Sequence, residues 1–174
     1  QAEDNLRNEA RARGVDEARL VFAPRAGYDL YLARYRQADL FLDTLPFNAG
    51  TTASDALWAG LPVLTQLGRS FAGRMAASLL DAVGLPELIA HSDQDYEQLA
   101  LRLATEPGLL QGYRDRLAAN IPTAPLFDTR RFTRHLEHAY ELIWTRHVQG
   151  LPPAEIDVPA LDAAAPLNAA TAAP

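Results

Sequence analysis

Short apolar runs alternate along this chain with stretches of helical period, and that alternation limits the fold more than any other feature. Leu20-Val21-Phe22-Ala23 is closed by Pro24 and reads as a buried strand, and Leu40-Phe41-Leu42, Pro62-Val63-Leu64-Thr65 and the short Leu88-Ile89-Ala90 read as three further strands. Helical stretches separate them. Residues 3–13 form an amphipathic helix ended by Gly14, residues 29–37 place Leu32, Tyr35 and Tyr28 on one side, residues 53–58 stop at Gly60, and residues 71–83 stop at Gly84. Strands that alternate with helices make βαβ units, hence an α/β fold with a parallel sheet and right-handed crossovers. Ligands in such sheets sit at the carboxyl ends of the strands. The C-terminal part is helical throughout: residues 93–105, residues 107–120 with Pro107 in the first turn, and a long helix capped by Asp128 that runs to His147. Residues 1–150 are expected to form one domain. Beyond Gly150 the chain is rich in Ala and Pro and loses its periodicity, so residues 151–174 are expected to be a disordered tail.

Composition removes several chemistries. Hydrophobic residues make up 48%, enough for a core, yet no run approaches the roughly 20 apolar residues of a membrane helix. The start, Gln1-Ala2-Glu3-Asp4-Asn5, lacks the basic and apolar pattern of a signal peptide, and there is no cysteine, which together point to a reducing cytoplasm. A net charge of -6 argues against a nucleic-acid partner. All 16 basic residues are arginine. Without lysine the chain is neither a phosphate-loop NTPase nor a Schiff-base enzyme.

The richest stretch runs from Asp43 to Gly60, follows a strand and opens a helix. Asn48, Ala49 and Gly50 let a ligand approach the backbone, and Thr51 and Thr52 set two hydroxyls beside the free N–H groups of the first turn. A phosphate suits that place, and Asp55 one turn on can accept from ribose hydroxyls. The same Thr52-x-x-Asp55 spacing matches a capping box, the commoner use of such a pair. Spacing alone yields an α/β domain with a candidate anion site and leaves the choice open.

Seven ordered segments extend the pattern. The residues 43–60 stretch, together with Arg19-Leu20-Val21-Phe22-Ala23-Pro24, Ala38-Asp39-Leu40-Phe41-Leu42-Asp43-Thr44, Pro62-Val63-Leu64-Thr65, Arg74-Met75-Ala76-Ala77-Ser78, Gly84-Leu85-Pro86-Glu87-Leu88-Ile89 and Pro125-Leu126-Phe127-Asp128-Thr129, resembles the O-linked N-acetylglucosamine transferase family, glycosyltransferase family 41, across about residues 5–150. The resemblance implies the C-terminal, Rossmann-like lobe of a GT-B enzyme. It implies inverting transfer of N-acetylglucosamine from UDP-N-acetylglucosamine to Ser or Thr of acceptor proteins, with no metal or other cofactor. Thr51 and Thr52 fall where the family holds the diphosphate, Asp55 where it binds ribose, and Arg25 and Ala26 in the loop that reads the uracil edge. Three positions depart from the best-known members: Gly50 replaces a phosphate-contacting histidine, Tyr28 a ribose-contacting lysine, and Tyr31 a histidine that stacks on uracil. Tyrosine still stacks. The first lobe, the first strand of the second lobe and the acceptor-binding tetratricopeptide repeats are expected outside this chain, and the catalytic groups with them. The related O-fucosyltransferase branch, with GDP-fucose, and a non-catalytic module that binds a nucleotide or a protein are the alternatives.

Other residues carry plainer expectations. His135 and His138 share a helix face but lack further metal ligands, and His91 follows the fourth apolar run. Arg69 and Arg74 suit either a phosphate or an ion pair within the lobe. Trp58, Phe71 and Leu79 are expected in the core. The apolar face of the last helix, with Phe132, Tyr140 and Trp144, is expected to be exposed in the isolated chain and to promote self-association.

Overall fold

The computed structural model describes residues 1–160; residues 161–174, most of the expected tail, lie outside the described residues. The helices are α1 (Ala2–Ala12), α2 (Tyr28–Tyr35), α3 (Thr51–Trp58), α4 (Met75–Ala82), α5 (Asp93–Thr105), α6 (Pro107–Asn120) and α7 (Thr129–Val148), and the strands are β1 (Phe41–Leu42), β2 (Val63–Gln66) and β3 (Ile89–Ala90). The strands form a parallel sheet in the order β1-β2-β3, with Phe41 opposite Val63 and Thr65 opposite Ile89. Among the described residues no helix is long and apolar enough to cross a membrane.

Local chemistry sets the boundaries. Gly14, Gly60 and Gly84 end α1, α3 and α4 at φ of 72°, 85° and 74°, a backbone state that side chains with a Cβ resist. Ser92 accepts from the Asp95 N–H at 3.1 Å to start α5, and Asp128 accepts from the Arg131 N–H at 2.9 Å to start α7. The long apolar stretch at residues 71–83 begins as a 3-10 turn, Ala72–Arg74, before α4. Residues 151–160 carry no regular secondary structure.

The core lies around β2. Val63 and Leu64 are fully buried with Leu57 of α3, Leu80 of α4, Leu103 of α5 and Leu117 of α6. Each such side chain contributes about 1.5–3 kcal/mol of burial. Three expectations fail here. Leu20–Ala23 is not a strand: Val21 is 88% exposed and no strand of the described residues pairs with the segment, although Leu20 keeps extended dihedrals. A lone extended segment has no ladder to bury it. Trp58 and Phe71 are also exposed, at 56% and 82%, Trp58 resting on the Phe127 ring; Leu79 is partly buried against the core as expected. The outer stripe of α7 is exposed at Phe132, Tyr140, Ile143 and Trp144.

Candidate functional site

The carboxyl end of β1 leads straight into the loop that precedes α3. Asp43 is buried there, and its Oδ1 accepts from the Ala49 N–H at 2.7 Å while its Oδ2 accepts from the Thr65 hydroxyl at 2.7 Å. Tyr96 of α5 donates its hydroxyl to the Asp43 carbonyl at 2.7 Å. Asn48, also buried, donates its side-chain amide to the Thr44 carbonyl at 3.3 Å and its backbone N–H to Ala72 O at 3.2 Å. The loop is thus fastened on two sides before it reaches the helix.

Gly50 is the N-cap of α3, and among the described residues no side chain accepts from the first turn. The capping box is not formed. The N–H groups of Thr51, Thr52 and Ala53 therefore have no acceptor among the described residues, and the helix dipole adds partial positive charge there. Thr51 and Thr52 are exposed and line an open cleft of ≈ 370 Å³ with Asp43, Phe47, Asn48 and Gly50. None of the described residues plugs the helix mouth.

Asp55 turns sideways, toward α2. The Tyr28 hydroxyl donates to Asp55 Oδ1 at 3.1 Å, and this bond is the main reason the Tyr28 hydroxyl holds its proton above the ordinary tyrosine range. Tyr35 donates to the Thr52 carbonyl at 3.2 Å, so in the 2.5 Å contact between the Tyr31 and Tyr35 hydroxyls it is Tyr31 that donates. Burial is the main cause that pushes the Tyr35 hydroxyl well above the usual range. The Tyr28 and Tyr31 rings stack with centroids 6.0 Å apart. A tyrosine ladder thus joins α2 to both Thr52 and Asp55.

The structure gathers Asn48, Gly50, Thr51, Thr52, Asp55, Tyr28 and Tyr31 at one end of the sheet. Arg25 and Ala26 lie in the irregular segment ahead of α2, which Arg34 ties down by donating to Pro24 O at 3.1 Å; among the described residues no hydrogen bond or ion pair links either to α3. Arg69 and Arg74 make no ion pair among the described residues, so the intra-lobe salt bridge is absent; exposed Arg74 lines a separate hollow with Phe71 and His91. His135 Nδ1 lies 2.7 Å from Arg131 O and His138 Nδ1 3.4 Å from a Glu141 carboxylate oxygen, so the two rings serve different partners. Sequence reasoning missed Asp43, Thr65, Tyr35 and Tyr96; an acid directly after a strand was the one signal available.

The sequence model of glycosyl transferase family 41 matches residues 1–136. The chain belongs to this family. This family 41 chain is 35% identical over 152 residues to the UDP-N-acetylglucosamine–peptide N-acetylglucosaminyltransferase of Caenorhabditis elegans, a match covering 87% of the chain and 13% of that protein. It is 37% identical over 157 residues to a probable enzyme of the same description, SEC, of Arabidopsis thaliana, covering 90% of the chain and 16% of the relative. Among solved structures, a mutant O-GlcNAc transferase of Thermobaculum terrenum matches with a TM-score of 0.76 and 36% identity, over 85% of the chain and 28% of the other. The expected Rossmann-like α/β lobe of a GT-B glycosyltransferase stands on this match and on the parallel sheet. The family 41 chain spans under a fifth of the length of the two curated relatives and under a third of the solved chain.

Proposed function

We propose that this chain is the donor-binding part of an inverting protein O-glycosyltransferase that moves N-acetylglucosamine from UDP-N-acetylglucosamine to Ser or Thr of acceptor proteins. The observation that carries the reading is the uncapped first turn of α3, open to a cleft, with Asp55 turned aside from it. The pyrophosphate accepts from the N–H groups of Thr51, Thr52 and Ala53 and from the two threonine hydroxyls. Asp55 accepts from ribose hydroxyls, Tyr28 lies beside the ribose, and Tyr31 offers a ring to the uracil while the Arg25–Ala26 backbone meets its edge.

In the transfer the bond between the anomeric carbon and the phosphate oxygen breaks, the acceptor oxygen bonds that carbon from the opposite face, and UDP leaves with the negative charge. Donors fixed where that charge develops lower the barrier. The base that takes the acceptor proton, the first lobe and the acceptor-binding repeats belong to other parts of a longer protein, so the isolated chain binds donor and does not transfer. The lack of cysteine supports a cytoplasmic setting.

Titration calorimetry with UDP and GDP tests the reading. UDP is expected to bind saturably and more tightly than GDP. Thr52→Ala and Asp55→Ala are each expected to weaken UDP roughly tenfold or more, the scale of one hydrogen bond to a charged group. Preference for GDP, or variants that bind like the parent, overturns it.

A further inference from the structure

We infer that Asp43, held in place by Thr65 and Tyr96, is the positioning residue of the helix mouth and acts through the Ala49 N–H to aim the loop that delivers Gly50 and Thr51; the inference rests on the donor-site reading above. Asp43 is 4% exposed, and one residue joins four elements: it ends β1, takes the Ala49 N–H from the loop, takes the Thr65 hydroxyl from β2, and offers its carbonyl to Tyr96 of α5. A carboxylate is costly to bury and is kept only where donors surround it. What the carboxylate adds is direction: it fixes the Ala49 N–H at 2.7 Å, one residue before the N-cap Gly50. That turns the next peptide so that α3 starts with its N–H groups facing the cleft. The far side of the loop is equally confined, since Asn48 donates to Ala72 O and a Cβ on Gly68 would meet Leu45 and Gly73 at 3.0 Å. Of the site residues named from the sequence only Asn48 makes one of these contacts, and Asp43 need not touch the ligand.

Thr65→Val tests this, because it removes the hydroxyl while keeping the shape, and Thr65→Ser restores the donor. Amide hydrogen exchange at Ala49 and UDP affinity are read together in the 174-residue chain. Thr65→Val and Asp43→Ala are expected to speed Ala49 exchange and weaken UDP roughly tenfold, with Thr65→Ser close to the parent in both. Leu117→Val, a core change in α6, is the stability control and should lower the melting temperature without moving either readout. The inference fails if either Thr65→Val or Asp43→Ala binds UDP like the parent, or if affinity merely follows melting temperature across the set including Leu117→Val. Should Asp43→Ala not fold, Thr65→Val decides alone. A parent chain that does not bind UDP is a different result: the donor-site reading fails and the inference falls with it, whereas UDP binding that Thr65→Val leaves intact defeats the inference alone.

Discussion

The Tyr28 hydroxyl on α2 donates to the Asp55 carboxylate on α3 across 3.1 Å, and the acid that the sequence offers as a helix cap faces a neighbouring helix instead. The hydrogen bond uses Oδ1. Oδ2 is left to accept from a ligand, and the backbone N–H groups at the helix start are left without a side-chain acceptor.

The consequence for stability is measurable. If Asp55 closed the helix, Asp55→Ala would cost about 1 kcal/mol. Since it accepts from Tyr28 instead, urea denaturation is expected to show Asp55→Ala and Tyr28→Phe each losing about 0.5–1.5 kcal/mol, with the double variant losing little more than either alone. Fully additive losses contradict the observed geometry.

Alkaline titration should separate the tyrosines. Tyr28 is held protonated chiefly by its bond to Asp55, Tyr35 chiefly by burial, and Tyr96 chiefly by burial and then by the Asp43 charge. A hydroxyl whose folded pKa is raised adds stability that is complete below its ordinary value of 10.0 and lost as pH climbs through the raised value. Tyrosinate absorbance is therefore expected to place the ionisation of Tyr28, Tyr35 and Tyr96 above pH 10.0, with stability falling as pH climbs through that range. Absorbance above pH 10.0 that Tyr28→Phe, Tyr35→Phe and Tyr96→Phe each leave unchanged contradicts these contacts.

Gly84 and Gly14 offer a matched pair. Both have positive φ, 74° and 72°, but a Cβ on Gly84 would also meet Asn120 Nδ2 at 2.9 Å, and that amide donates to Val83 O. Nothing lies within 4 Å of a Cβ on Gly14. Gly84→Ala is expected to lose more stability than Gly14→Ala, whose cost is the left-handed strain alone, about 1–2 kcal/mol. Equal losses in urea would mean that Asn120 yields freely.

Gly50 leaves room for a test of the phosphate site. A Cβ there meets only the flexible Met75 side chain, at 3.3 Å, so a larger residue needs a small shift of one methionine. Gly50→His adds a donor beside the helix mouth and is expected to tighten UDP binding roughly two- to tenfold. Unchanged or weaker binding places the phosphates elsewhere.

Much of this architecture is legible locally. Turn glycines, the Ser92 and Asp128 caps and the apolar runs at β1, β2 and β3 act through near neighbours, so the sequence shows them. The failures are non-local. The run Leu20–Ala23 has strand composition, but a strand exists only through a partner, and none of the described residues supplies one. Asp43 takes donors from residues 6 and 22 positions away and its carbonyl serves one 53 away, so spacing could not reveal its role. The Thr52 and Asp55 spacing suits cap and site alike, and Tyr28, 27 residues from Asp55, decides where the carboxylate points.

The most direct test follows the backbone amides of Thr51, Thr52 and Ala53 by NMR as UDP is added, with uridine alone as the control. A pyrophosphate gripped at the start of α3 should shift all three amides saturably with UDP and leave them largely unmoved by uridine. If those amides stay still while UDP perturbs another surface, the nucleotide is not held there, and the proposed donor site is wrong.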